Sequence, residues 1–216
     1  MIPGTDLIYK CPNCGRNTRR GSIISGNTFG SVLYSDGKQI APMLPEFPYF
    51  IKCEKCKTFY WLNDENKAGE YEGRERFYRL KDESKWKDSD HARFLSSDEY
   101  LEAINLKVYK TNDEEQYLRR RLWWAFNDKY RRDDEFVFNE NDKDIYESNC
   151  IKLIEVLDKN EINDKITCAE LYRNIGNYVE CKNILETIQE EKYNWIKEIL
   201  LRECEKNNKK VIMLKG

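Results

Sequence analysis

Cys11-Pro12-Asn13-Cys14-Gly15 and Cys53-Glu54-Lys55-Cys56 decide how this chain is read. Two residues separate the thiols in each pair and residues 15–52 separate the pairs, so four sulfurs can converge on one tetrahedral ion. A turn of this spacing points both sulfurs to one side, while backbone N–H groups beyond the second Cys donate to the thiolates. Gly15 suits the turn because it tolerates positive φ. A dithiol redox site needs only one pair, usually opening a helix in an α/β unit. Here Pro12 and Gly15 punctuate a turn between predicted strands, and a second pair follows. The predicted ligands are Cys11, Cys14, Cys53 and Cys56 around one structural ion.

Tetrahedral all-thiolate coordination admits zinc or iron. The Cys-Pro-x-Cys-Gly knuckle resembles those of zinc ribbons and of rubredoxins, where the same ligand set holds a redox-active iron. Lys57 stands in place of the glycine expected after the second rubredoxin knuckle. Zinc is therefore the expected ion, with iron in a rubredoxin-like electron carrier as the alternative.

Asp6 to Lys10 reads as a strand entering the first knuckle, and Ser22 to Tyr34 as short or bulged strands. Ser35-Asp36-Gly37-Lys38 is a hairpin signal, because Asp-Gly accepts the two positive φ values of a tight type I′ turn; its return strand ends at Pro42. Tyr49 to Lys52 leads into the second knuckle and Thr58 to Leu62 leaves it. This order of strands and knuckles resembles a zinc ribbon over residues 1–62, a class found in many functional settings. Residues 63–96 read as a charged linker, partly packed through Tyr71, Phe77, Tyr78 and Trp86. His91 is the single histidine and has no evident partner in the sequence.

From Ser97 the pattern is helical. Ser96-Ser97-Asp98-Glu99 supplies an N-cap and an acidic first turn. A longer helix follows Asn112-Asp113, with Leu118, Leu122, Ala125 and Phe126 as its apolar stripe. Further helices are expected near residues 144–158, 166–174, 181–188 and 193–206, with a short strand or extended tail at 211–214. The expected fold is α+β in two parts, a small β zinc ribbon followed by an all-α helical-hairpin domain over residues 97–216.

Two stretches resemble tetratricopeptide repeats, units of paired antiparallel helices. Trp123-x-x-Phe126-Asn127-x-x-Tyr130 follows the spacing of a first helix, and Ala169-x-x-Tyr172-x-x-x-Gly176-Asn177-Tyr178-x-x-Cys181 the end of one, its glycine turn and the small residue of the next. Lys165, Ile188 and Tyr193 depart from that pattern, and an insertion falls around residues 133–141. The combination resembles a set of bacterial proteins in which a zinc ribbon leads into degenerate tetratricopeptide-like helices. That likeness bears on architecture and supplies no activity.

Composition narrows the function classes. Of 216 residues 35% are charged and 13% aromatic, which argues for a packed protein with a highly charged surface. The net charge of −2 divides into +4 over residues 1–62 and −6 over the rest, too little for nucleic-acid binding to follow from charge alone. No apolar signal segment follows Met1 and no run is long enough to cross a membrane, so the cytoplasm is the expected compartment. In that compartment Cys150, Cys168, Cys181 and Cys204 read as small buried hydrophobes.

Three functions can be compared on this footing. The leading expectation is a non-catalytic scaffold or adaptor that binds a protein or peptide through its helical half. Tyr117, Trp123, Trp124, Tyr130, Tyr172, Tyr178 and Trp195 form its predicted surface, and Phe126, Tyr146 and Tyr193 add to an aromatic load too large for one buried face. The alternative is a nucleic-acid-binding ribbon using Arg16, Arg19, Arg20, Lys52, Lys55 and Lys57 on phosphates, with Tyr49, Phe50, Phe59, Tyr60 or Trp61 stacking on bases. An enzyme is the least supported, because there is one His and no phosphate loop or nucleophile-and-base motif, and four Cys leave a metal no open position.

Overall fold

The computed structural model describes residues 1–72, 86–133 and 135–215. Its strands in chain order are β1 (Ile2–Pro3), β2 (Asp6–Lys10), β3 (Asn17–Arg20), β4 (Ile23–Ser25), β5 (Val32–Tyr34), β6 (Gln39–Ile40), β7 (Phe50–Lys52), β8 (Phe59–Trp61), β9 (Lys67–Tyr71), β10 (Asp90–His91) and β11 (Met213–Lys215). The helices are α1 (Ser97–Asn105), α2 (Asn112–Arg132), α3 (Glu140–Val156), α4 (Ile162–Ile175), α5 (Tyr178–Glu186) and α6 (Asn194–Glu205). The chain is thus α+β, with small sheets first and helices after. It divides into two units, residues 1–30 with 41–99, and residues 31–40 with 100–216.

In the first unit β2 lies between β3 and β9, antiparallel to both, and β10 adds to β3 in parallel. Separate two-stranded ladders join β7 to β8 and β1 to β4. Phe50 is fully buried with Phe59 and Trp61 against it, at 5.8 and 4.7 Å between ring centroids. The described ends of the stretch read as a linker are structured: β9 pairs with β2, Trp86 and Leu95 are buried, and Ala92 N–H donates to the Arg19 carbonyl. Phe77 and Tyr78 lie outside the described residues.

The second unit contains the greater part of the helices. Their ends follow the local chemistry of the sequence: Thr111, Asn139 and Asn177 side chains each accept an N–H in the first turn of α2, α3 and α5. Gly176 ends α4 in the left-handed region at φ 85°, and the Asn177 N–H returns to the Tyr172 carbonyl at 2.8 Å, which turns the chain into α5. Ala169, Cys181, Leu185, Ile188, Ile196, Leu200 and Cys204 form one buried cluster of α4, α5 and α6. All four cysteines outside the knuckles are buried, and Cys181 and Cys204 sulfurs lie 3.4 Å apart.

The hairpin at residues 31–40, read in the sequence as part of the ribbon, clusters with this second unit, where β5 pairs with both β6 and β11. Its turn sits on buried polar side chains. Ser35 Oγ donates to Glu170 at 2.6 Å, and the fully buried Glu170 and Arg173 form a two-bond ion pair. Arg173 also donates to the carbonyls of Asn208 and Lys210. On the other side of the turn, the buried Asp36 carboxylate accepts from Asn127 and Arg131, and Trp124 Nε1 donates to its carbonyl at 3.0 Å. Tyr146, Asn174 and Trp123 link the two ends: Tyr146 hydroxyl donates to Asn127 Oδ1 at 2.8 Å, and Trp123 Nε1 donates to Asn174 Oδ1 at 3.0 Å. Most of these polar groups keep hydrogen-bond partners on burial, Arg131 Nε being an exception, and that is what makes such a chain tolerable in a core.

Candidate metal centre

Each knuckle caps a hairpin, the first between β2 and β3 and the second between β7 and β8, and the two are built alike. Cys11 N–H donates to Arg16 O and Gly15 N–H to Cys11 O, both at 2.9 Å; Cys53 N–H donates to Thr58 O at 2.8 Å and Lys57 N–H to Cys53 O at 2.9 Å. The residue after the second Cys takes positive φ in both, 69° at Gly15 and 60° at Lys57. Lys57 therefore adopts the conformation its partner knuckle assigns to glycine, at a cost of about 1 kcal/mol.

The four sulfurs lie within 4.8 Å of one another, with Cys11 to Cys56 at 3.5 Å and Cys14 to Cys53 at 3.6 Å. Four thiolates around an ion at about 2.3 Å make a tetrahedron of edge about 3.8 Å, so these side chains are spaced to hold one metal ion. Tyr9, Ile51, Tyr60 and Leu62 pack around the buried Cys11 and Cys53, and Tyr60 hydroxyl lies 2.9 Å from Thr18 Oγ1.

The donor set is unevenly disposed to ionise. Burial pushes the Cys11 thiol up to about 12 and also raises Cys53, whereas the hydroxyl and backbone N–H of Thr58 hold Cys56 down to about 5. Four sulfurs this close cannot all carry charge without a positive ion among them, and a divalent ion supplies the compensation. Thr58 Oγ1 stands 3.3 Å from Cys56 Sγ and accepts from Asn13 Nδ2 at 3.1 Å. Thr58 and Asn13 support the site, and the sequence reading missed both; a hydroxyl two residues after a knuckle cysteine was the signal. Among the described residues, these four cysteines are the group of His, Cys, Asp and Glu side chains placed to share an ion.

Most of the basic residues considered for phosphate contact are engaged by neighbouring groups. Arg16 pairs with Asp90 through two bonds of 2.9 Å. Arg19 contacts His91, which gives the lone histidine a partner, and Arg20 donates to the Pro48 carbonyl while its guanidinium lies 4.2 Å from the Tyr49 ring centroid. Lys57 reaches Glu54, Lys52 lies over Phe59, and Lys55 is exposed. Of the candidate stacking rings, Phe50 and Tyr60 are core residues, while Tyr49 is exposed.

The predicted helical surface also divides. Trp123, Phe126 and Tyr146 are buried, so Trp123 belongs to the core and not to a surface. Adjacent helical residues point about 100° apart, and α2 turns Trp123 inward while Trp124 is left half-buried. Tyr117, Tyr130, Tyr172, Tyr178 and Tyr193 are half-buried, and Trp195 is 38% exposed. No helix among the described residues is long and apolar enough to cross a membrane. Comparison of the chain with protein-family models, with curated proteins and with solved structures returns no match, so the geometry of these residues carries the functional argument by itself.

Proposed function

We propose that this protein is a zinc-stabilised, non-catalytic scaffold or adaptor of the cytoplasm whose helical unit binds a protein or peptide partner. In this reading residues around the knuckles form a zinc ribbon, and α2 to α6 are degenerate tetratricopeptide-like hairpins. The carrying observation is the set of large aromatic side chains that the helical packing leaves half-buried or exposed: Tyr117, Trp124, Tyr130, Tyr172, Tyr178 and Trp195. Tyr and Trp are enriched among the anchors of protein recognition. Zinc is preferred over iron because Lys57 stands where a rubredoxin knuckle carries glycine; the closed four-Cys set itself accepts either ion. Pairing of Arg16 with Asp90 and of Lys57 with Glu54 weighs against the ribbon as a phosphate-binding face.

The test is cross-linking capture with the full-length, zinc-loaded protein, compared with its Trp195→Ala and Tyr178→Ala variants. A specific protein species captured by the parent and lost in the variants is the expected result. Salt-sensitive binding of nucleic acid that disappears when Arg19 and Arg20 are changed, with no protein captured, would move the function to the ribbon.

A further inference from the structure

A cavity of about 350 Å³ opens where α3, α4 and α5 come together, and it takes no part in the metal centre. Ile154 and Cys168 are nearly closed off and form its floor. Ile184, Tyr172 and Lys165 are half-buried walls, and Lys159 and Glu180 stand exposed at the rim. The side chains that would meet a ligand are therefore open to it. Along α4, Lys165, Cys168 and Tyr172 fall on one face, a turn apart from one to the next.

Charge is unevenly spread over this lining. Arg120, Lys129 and Lys206 of the same unit are held by Asp164, Asp142 and Glu203. Lys159 and Lys165 have no such carboxylate partner among the described residues. Burial pushes the Cys168 thiol up to about 11 against the opposing pull of Lys159, whereas burial together with the charge of Glu180 raises Tyr172. The two lysines thus act at the Lys165 end of the cavity and the one anion at the Tyr172 end. Thr187, at the edge, already donates its hydroxyl to the Ile184 carbonyl at 2.7 Å. What remains is a small apolar hollow with two uncompensated ammonium groups at one end.

We propose that this cavity binds a small monocarboxylic acid with an apolar body, its carboxylate meeting Lys159 and Lys165 while the body lies against Ile184 and the Tyr172 ring. Its volume lies near the lower end of the range of about 300–1,000 Å³ typical of small-ligand sites. Such binding does not depend on a protein partner for the helical unit, and either can be absent without the other.

The probes are 4-phenylbutyrate and 4-phenylbutanamide, which share size and body and differ in charge. They are titrated into the full-length zinc-loaded protein and followed by calorimetry and by the Ile154 and Ile184 methyl resonances. Saturable binding of the acid is expected, with the amide weaker by about tenfold and the gap narrowing as salt is added. A double variant, Lys159→Met with Lys165→Met, keeps both aliphatic stems and should bind the two compounds alike. Lys159→Met alone, at an exposed position, is the second variant and should narrow the gap without changing helical circular dichroism. Equal binding of acid and amide by the parent protein, an undiminished preference for the acid in both variants, resonance shifts confined to other methyl groups, or no saturable binding of the acid at millimolar concentration would each overturn the proposal.

Discussion

The two units solve the problem of stability in different ways. In the first, two of the six residues in the buried cluster around the knuckles are Cys11 and Cys53, so the metal centre and that core are the same object. In the second, the cluster of α4, α5 and α6 contains no ligand, and what crosses its neighbourhood is a chain of buried polar groups from Ser35 through Glu170 and Arg173. A small β unit with short strands has little apolar surface to bury, and an ion held by its four cysteines would make up the difference. A helical unit has enough, and can carry a buried ion pair whose role is to hold one particular segment in place.

Removing the ion should therefore separate the units most. Zinc binding at a four-Cys site contributes about 10–16 kcal/mol, more than strands of this size gain from burial. Chelation, or Cys11→Ser, should abolish the tertiary signals of Tyr60 and Trp61 while helical circular dichroism is largely kept. Loss of both signals together would erase the distinction. Elemental analysis of the same preparation should find one zinc per chain.

Next in size is Glu170→Ala. It strands the fully buried Arg173 with two carbonyls and the Ser35 hydroxyl but no carboxylate, and breaking a buried pair from one side costs about 3–5 kcal/mol. The helical melting transition should fall steeply, with zinc content unchanged; a shift near zero would show that the pair does not hold the hairpin. Gly176→Ala is smaller, about 1–2 kcal/mol, because alanine must adopt φ near 85° and its Cβ meets only the movable end of Lys209. Lys57→Gly is the smallest and has the opposite sign. It relieves about 1 kcal/mol of left-handed strain, offset in part by the added freedom of the unfolded chain. A modest rise in resistance to chelator is expected, and a fall would show that the Lys57 contact with Glu54 matters more than its backbone.

Much of this was legible because it is local. A cysteine spacing, a glycine after a helix and a capping residue act within a few positions. The reciprocal Ser96 and Glu99 hydrogen bonds, 3.2 and 3.0 Å, are where the sequence pattern puts them. The start of α2 shows the limit of such reading, since the cap is Thr111 and not the following Asn112. The Asp36-Gly37 turn is also local and was read correctly as a hairpin, but only Gly37 takes positive φ, 76°, and not both residues as a type I′ turn requires. Its partners were not legible: Asp36 looks like an ordinary turn residue, yet its side chain is buried against Asn127 and Arg131, far along the chain. Turn chemistry says how a strand reverses, and nothing in a three-residue strand says which unit it joins. The adjacent tryptophans show the same limit, because a stripe that includes Trp123 and Trp124 cannot tell which of them faces the core.

The pairing of β5 with β11 sets a clock on biosynthesis. Residues 32–34 leave the ribosome long before residues 213–215 exist, and at about 5–20 residues per second the wait is roughly 10–40 s. Through that interval Ser35 lacks the Ile212 N–H and carbonyl that later bond it, and Arg173 lacks the carbonyls of Asn208 and Lys210. The early β segments around the first knuckle can meet their second pair of cysteines within a few seconds of synthesis. A ribosome-bound chain halted after Glu205 should thus present a metal-loaded knuckle pair together with a hairpin still open to protease, and releasing the last residues should close it.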